Sequence, residues 1–194
     1  MKEYIIDNEN NKIRYHDLPG DDTPIIFIHG LGCAGSFDYP EVASQTSLIK
    51  HRRILIDLLG SGFSDKPDNH LYTTTEHAEY LCDLINDLNI NKFIIYAHSL
   101  GGAIAIELAN MCKDKVESLI ISEGNLDKSC EGFTSYEFGT CNEEDFQNEV
   151  FDEVINENKD ENSMWVATLS VCSLAWENPK GLADAIMAGI AYSR

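Results

Sequence analysis

The sequence is short of positive charge. Its 14 Lys and Arg stand against 33 Asp and Glu, a net charge of -19 at pH 7. Such a chain repels a phosphate backbone and anionic lipid, which excludes nucleic acid and membrane as partners. It has no long apolar run: the longest nearly uncharged stretch, 163–176, is too short to span a bilayer and reads as a buried helix. The opening "MKEYIIDNEN" lacks the apolar stretch of a secretory signal, so the expected location is cytoplasmic. No CxxC pair occurs. Six cysteines are scattered at 33, 82, 112, 130, 141 and 172, which argues against a zinc or iron–sulfur site and for reduced, mostly buried thiols. Linkers, repeats and low-complexity tracts are also missing. What is present is 43% apolar residues over 194 positions, enough for the core of one domain with a small insertion.

The extended pieces "EYIID" and "KIRYHD" flank the turn-forming "NENN" and predict a hairpin. The continuous apolar runs "IIFIHG", "RRILIDLLG", "NKFIIYA" and "VESLIIS" suit strands buried on both faces of a parallel sheet. Between them, "TTTEHAEYLCDLINDLN" places Leu81, Leu84, Ile85 and Leu88 on one helical face, with Thr73 and Glu76 spaced as a capping box. "SLGGAIAIELANMC" predicts the next helix. Strand and helix thus alternate from 23 to 122, the pattern of a doubly wound, mostly parallel α/β layer. Beyond 122 the alternation stops. Phe146, Val150, Phe151, Val154 and Ile155 form the apolar stripe of an acidic helix, and two more helical stretches follow, with Pro179 suited to the first turn of the last. The expected organisation is an α/β core over 1–124 and a helical cap over 125–194.

Two motifs compete for function. Residues 30–35, "GLGCAG", fit G-x-G-x-x-G after a strand, and Asp57 ends the next strand about 20 residues on, as a ribose-binding acid would. This alternative, a dinucleotide-binding oxidoreductase, is weakened by the hairpin ahead of the loop and by Pro40 soon after it. The second motif is "AHSLG", 97–101, between an apolar strand and a long helix. A nucleophile elbow requires this context: the serine sits on a strained turn, its neighbours two before and two after must be small, and Ala97 and Gly101 are. An N-cap serine is the plainer explanation of Ser99 when the motif stands alone.

Three motifs in order carry a resemblance. "HGLG" (29–32), "DLLGSGFSD" (57–65) and "AHSLGG" (97–102) together resemble the α/β-hydrolase superfamily, in its capped, esterase-like branch, over roughly residues 4–127. The resemblance implies Ser99 as nucleophile, with the backbone N–H groups of Leu31 and Leu100 as oxyanion donors. His29, Gly30 and His98 take supporting places, and Asp57 and Ser64 shape the floor of the site. Glu123, just after "LIIS", stands where some members carry the triad acid; Asp127 is a weaker candidate. The implied partner is a small, largely apolar acyl substrate, with no metal or organic cofactor. A non-catalytic ligand- or partner-binding protein on the same fold is the other alternative.

One residue the chemistry needs is missing. A neutral serine requires a base. Family order places its histidine last, yet all six histidines (16, 29, 51, 70, 77 and 98) precede Ser99. No strand-like run follows Ser122 either. The expectation is therefore the amino-terminal part of a longer hydrolase, inactive alone, whose exposed sheet edge favours homodimers or looser self-association.

Overall fold

In a computed structural model of the chain, residues 1–124 and 178–192 are described, with Tyr136, Thr140 and Asn142 between them. Six strands form one sheet in the order β1-β2-β4-β3-β5-β6. They are β1 (Lys2–Ile5), β2 (Lys12–Leu18), β3 (Asp22–Ile28), β4 (His51–Asp57), β5 (Phe93–His98) and β6 (Val116–Ser122). The predicted hairpin is there: β1 and β2 are antiparallel, with Lys2 opposite Tyr15 and Ile5 opposite Lys12. Its turn is held by the Asp7 carboxylate, which accepts from Glu9 N at 2.9 Å and Asn11 N at 3.0 Å. Strand β2 is antiparallel to β4, and β3, β4, β5 and β6 are mutually parallel. Among the described residues no strand pairs with the outer side of β6.

The continuous apolar runs are explained by two cores, one on each sheet face. Ile26, Ile28, Ile54, Ile56, Phe93, Ile95 and Ala97 face one core, and the alternate residues Ile25, Phe27, Leu55, Ile94 and Tyr96 face the other. Period-two side-chain alternation with both faces covered leaves few positions for a polar residue. The first core is closed by α3 (Thr74–Asp87) and α4 (Leu100–Met111), which contribute Leu81, Leu84, Ile85, Ile104 and Leu108.

The second core is closed by the short α1 (Gly35–Asp38) and α2 (Pro40–Ala43), and by α5 (Pro179–Tyr192). Helix α5 buries Leu182, Ala183, Ile186 and Ile190 there, so the last stretch grouped with the cap lies directly against the sheet. Pro179 opens it, and Asn178 caps it by accepting from Gly181 N at 2.8 Å. The acidic helix, the 163–176 stretch, Asp127 and Cys130, Cys141 and Cys172 fall outside the described residues.

Half of the expected capping box forms. Thr73 Oγ1 accepts from Glu76 N at 3.2 Å, but the Glu76 carboxylate returns to Tyr72 N at 2.8 Å rather than to Thr73. The other Glu76 oxygen is held by Tyr80 Oη at 3.0 Å and His70 Nδ1 at 3.1 Å, which draws the side chain past the cap.

Candidate active site

Strands β3, β5 and β6 lie side by side and parallel, so the residues following each emerge at one end of the sheet. Those residues are 29–33, Ser99 and Glu123. Ser99 sits between β5 and α4 with φ 50° and ψ -121°, a backbone conformation that residues with a side chain rarely adopt. Two backbone bonds hold it: Ser99 N donates to Ser122 O at 3.0 Å, and Gly102 N donates to Ser99 O at 2.8 Å. This is the sharp strand-to-helix turn the motif demands.

The small residues around the serine have steric reasons. A Cβ on Gly101 would lie 2.6 Å from His29 O and 2.7 Å from Ile28 O, so α4 can cross the end of β3 only with glycine there. A Cβ on Gly30 would lie 3.1 Å from Ser99 Cβ and 3.2 Å from His98 Cδ2, which places the loop after β3 against the serine. That loop turns tightly: Cys33 N donates to Gly30 O at 3.3 Å, and Gly32 has φ 73°. Leu31 therefore stands one residue from the contact with Ser99, its side chain exposed. Leu100 is the first residue of α4, whose opening N–H groups lack intrahelical acceptors and point toward the positive end of the helix dipole.

His29 is a brace. It is buried, its Nε2 accepts from Leu58 N at 3.0 Å, and its Nδ1 therefore carries the proton it donates to Gly30 O at 2.8 Å. Burial pushes its pKa down to about 4, against a weaker upward pull from the Gly30 carbonyl, so the ring is neutral. It ties the loop carrying Leu31 to the loop after β4. His98 is buried as well, with Nδ1 3.1 Å from Ser122 Oγ and Nε2 4.0 Å from Glu123 Oε2. Burial lowers its pKa and Glu123 partly offsets this. Glu123 has φ 51° and is exposed, reaching over the end of β6.

Ser122 has no signal in the sequence motifs, yet it joins these parts. Its carbonyl anchors Ser99, and its hydroxyl meets both His98 and Tyr96 Oη, the latter at 2.9 Å. Only the β5–β6 register, which sets His98 opposite Ser122, reveals it.

The loop after β4 makes the floor. The buried Asp57 carboxylate accepts from Ser36 N at 2.7 Å, Ser36 Oγ at 2.8 Å and Phe63 N at 2.9 Å. Ser64 Oγ donates to Asp57 O at 2.6 Å and accepts from Arg14 N at 2.8 Å. Asp57 is thus buried under three donors, away from any ribose hydroxyl. Gly35 is a packing glycine, since its Cβ would lie 2.2 Å from Ile56 O. The dinucleotide alternative loses the acid it needs.

Among the described residues no histidine pairs with the Ser99 hydroxyl. His29 is bonded through both ring nitrogens, His98 through Nδ1 only with no hydrogen-bond partner at Nε2, and His51 Nδ1 meets Thr23 O at 2.7 Å. His70 is held between Asp7 and Glu76, both at 3.1 Å. Among the same residues no group of three or more His, Cys, Asp or Glu could hold a metal ion, and no helix is long and apolar enough to cross a membrane.

Known proteins share this architecture. "Probable lysophospholipase BODYGUARD 3" of Arabidopsis thaliana is 35% identical over 102 residues, covering 50% of this chain and 20% of its own length. "Uncharacterized carboxylesterase nap" of Bacillus subtilis (strain 168) is 29% identical over 103 residues, covering 53% and 34%. The chain thus spans a fifth to a third of these relatives. Among solved structures, a mutant of the meta-cleavage product hydrolase CumD superposes with a TM-score of 0.56 at 27% identity, over 63% of this chain and 45% of its own. A family model described as the alpha/beta hydrolase fold matches residues 23–171, most of the chain, and with the strained turn at Ser99 and the braced loop after β3 it settles the family: the chain belongs to the alpha/beta hydrolase fold.

Proposed function

We propose that this chain carries the nucleophile and oxyanion half of a serine hydrolase acting on a small, largely apolar carboxylic ester or related acyl compound. The observation that carries the reading is the conformation of Ser99, a non-glycine residue at φ 50° and ψ -121° on the turn into α4, against Gly30 of the neighbouring loop. Natural chains keep such strain where a site uses it. Ser99 Oγ attacks the acyl carbon, and the N–H groups of Leu31 and Leu100 receive the oxyanion. Removing one such donor costs about 3–4 kcal/mol of transition-state stabilisation. Water then releases the acid. Glu123 is the acid that orients the base and stabilises its cation. The relatives named as a lysophospholipase and a carboxylesterase support carboxylic ester chemistry.

On this reading the base is an imidazole from outside these 194 residues, since no described histidine pairs with the Ser99 hydroxyl, and the chain alone is inactive. A second reading, a binding protein on the same fold with Ser99 idle, draws on that same observation. Incubating the native protein with a fluorophosphonate, followed by intact mass and peptide mapping, separates them. One adduct at Ser99, absent in S99A, supports the hydrolase. An unlabelled Ser99 in protein purified at its native length refutes it and leaves the binding protein.

A further inference from the structure

Two cysteines that the site does not use meet on the far side of the first core. Cys82 lies in α3 and is half-buried; Cys112 is the C-cap of α4 and is buried. Their sulfurs are 2.9 Å apart. One thiol hydrogen-bonds the other across this distance, and a disulfide needs about 2.05 Å. The sulfurs stand less than an ångström outside bonding distance.

We propose that Cys82 and Cys112 are a reversible redox pair, oxidised by a low-molecular-weight disulfide such as glutathione disulfide, which straps α4 to α3. The roles of the two sulfurs follow from their surroundings. Cys82 is reachable from solvent, beside Asn86, whose Nδ2 lies 3.9 Å from its sulfur. The same Asn86 accepts from Lys115 Nζ at 2.6 Å, which brings a cation to the edge of the pair. Cys112 is shielded: burial and the neighbouring sulfur hold its thiol well above the ordinary range, with Lys115 opposing and Asp83 adding to the effect. Cys82 is therefore the sulfur that a small disulfide reaches, and the one that attacks first.

The step balances. The Cys82 thiolate attacks one sulfur of the disulfide RSSR and expels RS⁻, leaving Cys82 joined to SR. Cys112 gives its proton to the departing thiolate and attacks Cys82 Sγ, expelling the second RS⁻, which takes a proton from water. Two cysteine thiols are oxidised to one disulfide, and RSSR is reduced to two RSH.

The strap has a defined mechanical effect. Helix α4 begins at the residue after Ser99 and is capped by Cys112, so the bond fixes the end of the helix remote from the serine. It closes a loop between positions 30 apart in sequence. Loop closure of that length, in a protein of this size, raises Tm by roughly 7–14 °C.

The test equilibrates the full chain with excess glutathione disulfide, quenches in acid, alkylates the remaining thiols and maps the peptides. The expected result is a Cys82–Cys112 linked peptide and a mass lower by two hydrogens. Cys33, Cys130, Cys141 and Cys172 stay alkylatable, and Tm rises and returns with dithiothreitol. C82S gives neither the link nor the rise. The mapping needs no variant, so it stands whether or not C82S folds. Free Cys82 and Cys112 after equilibration, a stable glutathione adduct on Cys82 without closure, or a link from either cysteine to another partner would each overturn the proposal.

Discussion

Replacing Ser99 by glycine should stabilise the protein relative to replacing it by alanine. Both variants remove the hydroxyl, and both keep the backbone bonds to Ser122 O and from Gly102 N. They differ in the Cβ. At φ 50° and ψ -121°, a residue with a Cβ carries strain of about 1–3 kcal/mol, which glycine does not. Glycine loses about 0.4–1 kcal/mol more backbone entropy on folding, because its unfolded chain is freer. The difference leaves S99G more stable than S99A by about 1–2 kcal/mol, or roughly 2–8 °C in Tm for a chain of this size. Parallel urea and thermal melts of the two variants measure it, with midpoints compared at a common denaturant slope. An S99G midpoint at or below that of S99A would show that the turn is not strained, and the main support for a working serine would go with it.

Other parts of the site give further outcomes. G101A should lower stability by about 1–3 kcal/mol, because its Cβ meets two backbone oxygens that cannot move aside, and urea melts will show it. D57N should cost about 1–3 kcal/mol, since an amide has one acceptor oxygen for three donors and leaves a buried N–H unpaired; hydrogen exchange at Ser36 and Phe63 locates the loss. His29 makes stability fall with acidity. The unfolded ring takes its proton near pH 6.5 and the folded ring only at about 4, so the unfolded state binds more protons between them. Roughly 3 kcal/mol is therefore lost as pH falls through that window, and melts of H29Q, which cannot titrate there, should show a flatter profile. Among the described residues no strand pairs with the outer side of β6, and an edge left so would give concentration-dependent association; a clean monomer by light scattering at tens of micromolar would count against it.

Much of this architecture is legible in the sequence because its signals are local. The runs at 25–28, 54–56 and 93–97 can only be strands covered on both faces, and Thr73, Pro179 and the "NENN" turn mark their elements through their own backbone chemistry. The elbow is legible for the same reason, since the turn at Ser99 constrains residues within two positions of it. What escapes the sequence is set by contacts between distant segments. The half-formed capping box depends on His70 and Tyr80 competing for Glu76, and the place of Ser122 depends on strand register. Residues 30–35 show the limit most clearly. As a string they suit a phosphate loop and an oxyanion loop equally, because both need glycine where backbone approaches closely. The partners weigh against the phosphate loop: Gly30 faces a serine and a histidine, Gly35 faces the carbonyl of Ile56, and the acid that would have held a ribose is buried under Ser36 and Phe63. A glycine pattern states that something must come near. Which group comes near is a property of the fold, and here it is the Ser99 turn.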